Sequence, residues 1–188
     1  MSRKLIVGAL VGLGMAIMAA GLWIPAKAVL AQVLLERAWT VHQQTGEEAK
    51  PWPWADTSPI AELSAPQLDT SWIILKGSSG QAMAFAPSMM DPSLLPAGVT
   101  LIGAHRDTHF RGLEKVNLGD IFTLDDGKGA AASYRVLETM IVHKDQVFLE
   151  RSSGEDLMLL VTCYPFDAVV PGGPMRFVVL TEKIIETV

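Results

Sequence analysis

From Leu5 to Ile24 the chain carries no charged side chain. Twenty uncharged residues in a helix rise about 30 Å, the thickness of the hydrocarbon core of a bilayer. Arg3 and Lys4 stand just before this run, and positive residues flanking a span stay on the cytoplasmic side. The N-terminus is therefore expected in the cytoplasm and everything after Trp23 on the far side of the membrane. Trp23 itself suits the membrane–water boundary. A cleaved signal peptide is the competing reading, because Ala26-Lys27-Ala28 has the small-residue pattern of a cleavage site. The apolar run, however, is longer than the roughly 7–15 residues of a signal h-region. In either case the remainder of the chain is exported.

The chain beyond the span is large enough for one domain with one core, about 130 residues once a connector is set aside. The formal charge of the whole chain is −5. No basic stripe and no aromatic–basic interleaving marks a nucleic-acid surface. Ala26 to about Gln44 reads as helix, with Val29, Leu30, Val33, Leu34 and Val41 at helical spacing. This stretch either continues the membrane helix as a stalk or packs on the domain. Pro51-Trp52-Pro53-Trp54 excludes regular helix and predicts an extended connector whose tryptophans pack on the domain surface. The expected organisation is a cytoplasmic tip and transmembrane anchor at 1–25, a helical stalk at 26–50, a Pro/Trp linker at 51–58 and a single folded domain at 59–188.

From Ile60 onward the pattern is β. Short apolar or alternating runs occupy Ser71–Lys76, Gln81–Ala86, Val99–Ala104, Asp120–Leu124, Ser133–Val142, Asp156–Thr162 and Met175–Thr181. Turn signals punctuate them at Gly77-Ser78-Ser79-Gly80, Asp125-Asp126-Gly127, Ser152-Ser153-Gly154 and Pro171-Gly172-Gly173-Pro174. Met89–Leu95 and Phe110–Val116 read as single helical turns. Seven or eight short strands in a chain of this size predict a mainly β fold, a barrel or a sandwich.

The sequence contains a single cysteine, Cys163. Free cysteine is among the most buried residue types, so taken alone it reads as a small core residue. Its position is informative: it closes the apolar strand Leu157-Met158-Leu159-Leu160-Val161-Thr162, and Tyr164-Pro165 stops regular pairing straight after. His105 similarly follows the strand Thr100-Leu101-Ile102-Gly103-Ala104, and Arg176 begins the last one. Each, alone, reads as an ordinary surface polar residue. Together they place His, Cys and Arg at three strand termini. An imidazole can take a proton from a thiol or stabilise its thiolate. A guanidinium supplies permanent charge and donors for a developing oxyanion. This inventory suffices for acyl transfer through a thioester.

The same residues resemble the sortase family of cysteine transpeptidases. Its nucleophile motif is Thr-Leu-X-Thr-Cys. Here Leu159-Leu160-Val161-Thr162-Cys163 departs at the first position only. The loop Gly103-Ala104-His105-Arg106-Asp107-Thr108-His109-Phe110 is similar to the Gly-His-Arg-Asp-Thr type, with one small residue inserted between Gly103 and His105. Arg176 lies 13 residues after Cys163, and the order His, Cys, Arg is the family's. The resemblance covers about Pro59 to Lys183 and looks closest to the sortases of Gram-negative bacteria.

It implies a mainly β, eight-stranded barrel anchored by an N-terminal transmembrane helix in the cytoplasmic (inner) membrane, with the barrel on the extracytoplasmic, periplasmic side. It implies cleavage of a C-terminal sorting signal such as Leu-Pro-X-Thr-Gly between Thr and Gly, a thioester on Cys163, and transfer to an amine. The implied partners are an exported protein bearing the signal and an amine acceptor in the cell envelope. No cofactor or metal is called for. On this reading Cys163 attacks, His105 transfers protons and Arg176 steadies the oxyanion. Thr162 hydrogen-bonds substrate backbone or is simply a strand residue. Asp107 structures the loop by orienting His105 or binding Arg106. The substrate groove is expected along Ser78–Met90 and Phe166–Pro174.

Other chemistries fit less well. His105 and His109 are four apart, a metal-ligand spacing on a helix, but Gly103 and the preceding strand argue for a loop, and Arg106 stands where a zincin has glutamate. His42 and His143 have no partner evident in the sequence. An L,D-transpeptidase carries its histidine beside the cysteine, and a papain-like hydrolase sets the cysteine ahead of the histidine at a helix start. A peptide-binding barrel without catalysis is the remaining non-enzymatic alternative.

Overall fold

The computed structural model describes residues 3–147, 156–170 and 172–185. The expected turn at Ser152-Ser153-Gly154 and the residue Pro171 lie outside them. The first element is one helix, α1 (Arg3–Thr45, 43 residues), which runs through Pro25 without interruption. Its first part is apolar and outward-facing, with Leu10, Leu13, Ile17, Leu22 and Ile24 all exposed. Its last part docks on the domain through Ala31, Leu35, Ala38, Trp39 and His42, spaced to share one face. The 26–44 stretch thus both continues the first helix and packs on the domain.

The barrel is built from eight strands: β1 (Pro59–Ala65), β2 (Thr70–Lys76), β3 (Ser88–Met89), β4 (Val99–Gly103), β5 (Ile121–Asp125), β6 (Ala131–His143), β7 (Leu157–Tyr164) and β8 (Met175–Lys183). They close in the order β1-β2-β3-β4-β7-β8-β6-β5. Closure abolishes exposed strand edges. The strands' alternation fills the interior: Ala61, Leu63 and Ala65 of β1 point inward to meet Ile74, Ile102, Phe122, Met158, Leu160 and Val179. β7 is buried on both faces, because Leu157 and Leu159 belong to a second cluster with Val178 and Leu180 outside the barrel. That explains its unbroken apolar run where other strands alternate.

The Gln81–Ala86 stretch, expected as a strand, is a short helix, α2 (Gly80–Phe85). The alternating alanines 82, 84 and 86 suggest period two, but Ser79 caps the segment by accepting a hydrogen bond from the Ala82 N–H at 3.0 Å. Gln, Ala and Met are also good helix formers. Ala82 and Ala86 pack with Leu35 and Leu75, so α2 is wedged between α1 and the barrel. Gln32 donates from Nε2 to the Phe85 carbonyl at 2.8 Å. Met89 lies in β3, not in a helical turn; the turn is confined to Pro92–Leu94. Of the connector's tryptophans, Trp52 packs edge-on against Phe85, whereas Trp54 is 80% exposed.

His42 has partners that the sequence does not reveal. It is buried, stacks on Trp39, and its ring nitrogens face the carbonyls of Glu47 at 2.9 Å and Asp126 at 3.2 Å. The Asp126 carbonyl belongs to the β5–β6 turn. Gly127 in that turn has φ +70°, and the Trp39 ring lies where a side chain would begin. His143 pairs with Asp145 at 3.2 Å.

Candidate active site

Strand register builds the site. β4 and β7 are parallel, with Gly103 opposite Val161. Adjacent strands lie about 4.8 Å apart. Two residues beyond this last pair, the chains reach His105 and Cys163 at the same end of the barrel. β8 returns antiparallel to β7 and sets Arg176 opposite Cys163, within reach for a cross-strand pair. β7 runs two residues further than expected, to Tyr164, so Cys163 is the penultimate strand residue rather than the one after its end. The Tyr164–Pro165 peptide is cis.

A cavity of about 390 Å³ is lined by His105, Cys163 and Arg176 together with Thr162, Ser78, Met83, Ser88, Met90 and Leu101. The Ser78–Met90 stretch thus lines this cavity through four of its residues. The described part of Phe166–Pro174 does not line it, although Gly173 contributes a carbonyl to Arg176. Cys163 is half-buried and His105 exposed, which suits a nucleophile and a proton carrier open to substrate. Arg176 donates from Nη1 to the carbonyls of Gly173 at 2.7 Å and Met175 at 2.8 Å. Those bonds fix the plane of the guanidinium while leaving its Nε–H and Nη2 for another acceptor.

Thr162 is buried, and its hydroxyl donates to the Ala104 carbonyl at 2.8 Å. That bond links the end of β7 to the residue before His105, and it occupies the hydroxyl proton that would otherwise be free for substrate. Asp107 does not approach His105 in any hydrogen bond among the described residues. Its carboxylate accepts from Arg106 Nε at 2.8 Å and Nη2 at 3.2 Å. The hydrogen bond and charge of Arg106 hold the Asp107 carboxyl below its ordinary range. Asp107, hydrogen-bonded in the same way, holds the Arg106 proton more tightly.

His109 points away from the cavity and lines separate hollows beside Trp72 and α1. Partial burial, reinforced by His105, lowers its readiness to take a proton. The two histidines of the loop therefore line different hollows. The residue that sequence reasoning undervalues is Arg106, only 3% exposed. Arginine is almost never fully buried unless paired, and the neighbouring Asp107 is the sole hint that the sequence offers.

A family model for the sortase domain matches residues 63–184. The chain belongs to the sortase family. Solved structures share the sortase fold along most of their length. A sortase D5 transpeptidase from Clostridium perfringens superposes with a TM-score of 0.63 at 17% identity, covering 83% of this chain and 99% of that one. Sortase A from Corynebacterium diphtheriae gives 0.61 at 21% identity over 84% and 85% of the two chains. Clostridium perfringens sortase C, crystallised with the C-terminal cell wall sorting motif, gives 0.60 at 18% identity over 85% and 90%. No curated protein matches the sequence. This sortase is a cysteine transpeptidase by family, with Cys163 as its only cysteine.

Proposed function

We propose that this sortase cleaves a C-terminal sorting signal of the Leu-Pro-X-Thr-Gly kind between Thr and Gly, and transfers the new carboxyl end to an amine. The observation that carries the reading is the β4–β7–β8 register, which delivers His105, Cys163 and Arg176 into one cavity. The Cys163 thiolate attacks the Thr carbonyl carbon, forming the C–S bond. Arg176 donates to the oxyanion that develops. As the C–N bond breaks, His105 as imidazolium gives its proton to the departing glycine amine. An incoming amine then attacks the thioester, loses its proton to His105, and releases Cys163 as thiolate. Met83, Met90 and Leu101 supply an apolar wall for the Leu and Pro side chains of the signal. The sorting motif bound to the Clostridium perfringens sortase C supports the substrate class.

On the same reading α1 crosses the cytoplasmic membrane with Arg3 and Lys4 inside, and the barrel works on the extracytoplasmic side, where exported proteins and envelope amines meet. The likeness of the His105 loop to the Gly-His-Arg-Asp-Thr type supports assigning the enzyme to the Gram-negative sortases. Thr162 and Asp107 act as structural supports of the site rather than as substrate contacts.

Mass spectrometry of the full chain with a Leu-Pro-X-Thr-Gly peptide library, with and without amines, tests this directly. The expected result is an adduct on Cys163 ending at Thr that turns over when amine is added and is absent in Cys163→Ala. Retained peptide binding with no adduct, in a protein whose Cys163 resists thiol reagents, would establish a binding module instead.

A further inference from the structure

His105 and Cys163 sit on segments that part company as soon as β4 and β7 end. The His105 side chain makes no hydrogen bond to the protein among the described residues, so its placement depends on how its backbone is held. Two anchors flank it. On one side the Thr162 hydroxyl grips the Ala104 carbonyl. On the other Phe110, fully buried, packs edge-on against Trp72. Between those anchors, among the described residues, the side-chain hydrogen bonds from the loop to the segment after the nucleophile come from one residue.

That residue is Arg106. Nη1 donates to the Pro165 carbonyl at 2.6 Å and Nη2 to the Ala168 carbonyl at 3.0 Å, while Nε and Nη2 also engage Asp107. A guanidinium buried to this degree is tolerated only when paired and hydrogen-bonded. Here Asp107 neutralises it, and the two carbonyls take the donors that point inward. The planar fork spans both loops at once, which a lysine ammonium cannot reproduce.

We propose that Arg106 is a positioning residue that sets the distance between the His105 imidazole and the Cys163 thiol, by riveting the histidine loop to the Pro165–Ala168 turn. Because Arg106 adjoins His105, and Pro165 lies two residues after Cys163, slack in this tie passes directly to the reacting pair. Misplacement of a catalytic group by about 1 Å costs about 100-fold in rate. Asp107 acts on the outer side of the guanidinium, and its carboxylate is largely exposed. Asp107→Asn keeps an oxygen acceptor beside the guanidinium, so both carbonyl bonds are expected to persist in it. The inference rests on the Cys163–His105 pairing proposed above.

Two readouts on the full chain in detergent test it, one of them independent of substrate. The first is the pH at which alkylation of Cys163 by iodoacetamide is half-maximal, in the native protein, His105→Ala, Arg106→Met, Arg106→Lys and Asp107→Asn. Removing His105 is expected to move this midpoint. Arg106→Met is expected to move it in the same direction by at least half as much, Arg106→Lys by less, and Asp107→Asn least. The second readout is kcat and KM on a Leu-Pro-X-Thr-Gly peptide. Arg106→Met is expected to lower kcat about 100-fold with KM changed less than about threefold.

A midpoint and kcat unchanged in a folded Arg106→Met would overturn the proposal. So would losses in Asp107→Asn as large as those in Arg106→Met. If Arg106→Met fails to fold, Arg106→Lys decides, since native values in it would equally refute the tie. A midpoint that ignores His105→Ala would sink the Cys–His pairing and this inference with it. An alkylation result as expected with no peptide turnover would overturn only the assigned sorting signal.

Discussion

Replacing Thr162 with valine separates two jobs that a threonine beside a nucleophile can do. The substitution keeps the shape of the side chain and removes the hydroxyl. In the structure that hydroxyl donates to the Ala104 carbonyl at 2.8 Å inside a buried contact, with Ala104 itself 7% exposed. Valine leaves the carbonyl desolvated without its side-chain donor. Such a loss costs about 1–2 kcal/mol, or a fall in Tm of about 4–8 °C for a domain of this size. The loosened Ala104 precedes His105, so kcat should fall with it while KM stays close to native.

Thr181 provides an internal control. It is also buried, and its hydroxyl donates to the Met158 carbonyl at 2.9 Å, far along β7 from the cavity. Thr181→Val should cost similar stability and leave kcat unaltered. Thermal unfolding detected by tryptophan fluorescence, beside peptide kinetics, reads both quantities. An unchanged Tm in Thr162→Val with KM raised about tenfold would refute the structural assignment and return the hydroxyl to substrate.

The helix–barrel contact and the titration of His109 give further expectations. Leu35 is fully buried against Leu75, Ala82 and Ala86, so Leu35→Ala should lower stability by about 2–5 kcal/mol in urea titration. Gly127→Ala places a methyl 2.6 Å from the Trp39 ring at a φ of +70°. It should cost about 2–4 kcal/mol and expose Trp39 to fluorescence quenchers. His109 takes up a proton less readily in the folded chain than in the unfolded one, chiefly through burial. Its contribution to stability is complete above about pH 7 and is lost as pH falls through the depressed folded value. His109→Gln should therefore flatten the decline of the urea midpoint between about pH 7.5 and 5; an unchanged slope would show that His109 does not produce it.

Much of this is legible in the sequence because it is written locally. An uncharged run of twenty residues from Leu5 to Ile24 states its own length against a bilayer. Most of the strands announce themselves through apolar runs and turn residues between them. Cys163, His105 and Arg176 are readable as a set because each ends or begins such a run. Where local signals compete, the sequence misleads. The alanines at 82, 84 and 86 alternate like a strand, yet Ser79 caps a helix there and α1 supplies the surface that helix needs.

The tertiary structure decides what depends on elements far apart in the chain. Nothing in the strands β4 and β7 specifies that they pair in parallel, with Gly103 against Val161, yet that register is what brings His105 and Cys163 to one cavity. Arg106 looks like any loop cation until the Pro165–Ala168 turn, about sixty residues on, closes over it. The hydroxyl of Thr162 and the ring of His42 likewise find carbonyls 58 and 84 residues away. Sequence determines which groups can donate, accept or hide from water, because those are properties of single side chains and their neighbours. Which group meets which is settled only when the barrel closes, because the energy of a buried polar contact exists only between partners that packing has already brought together.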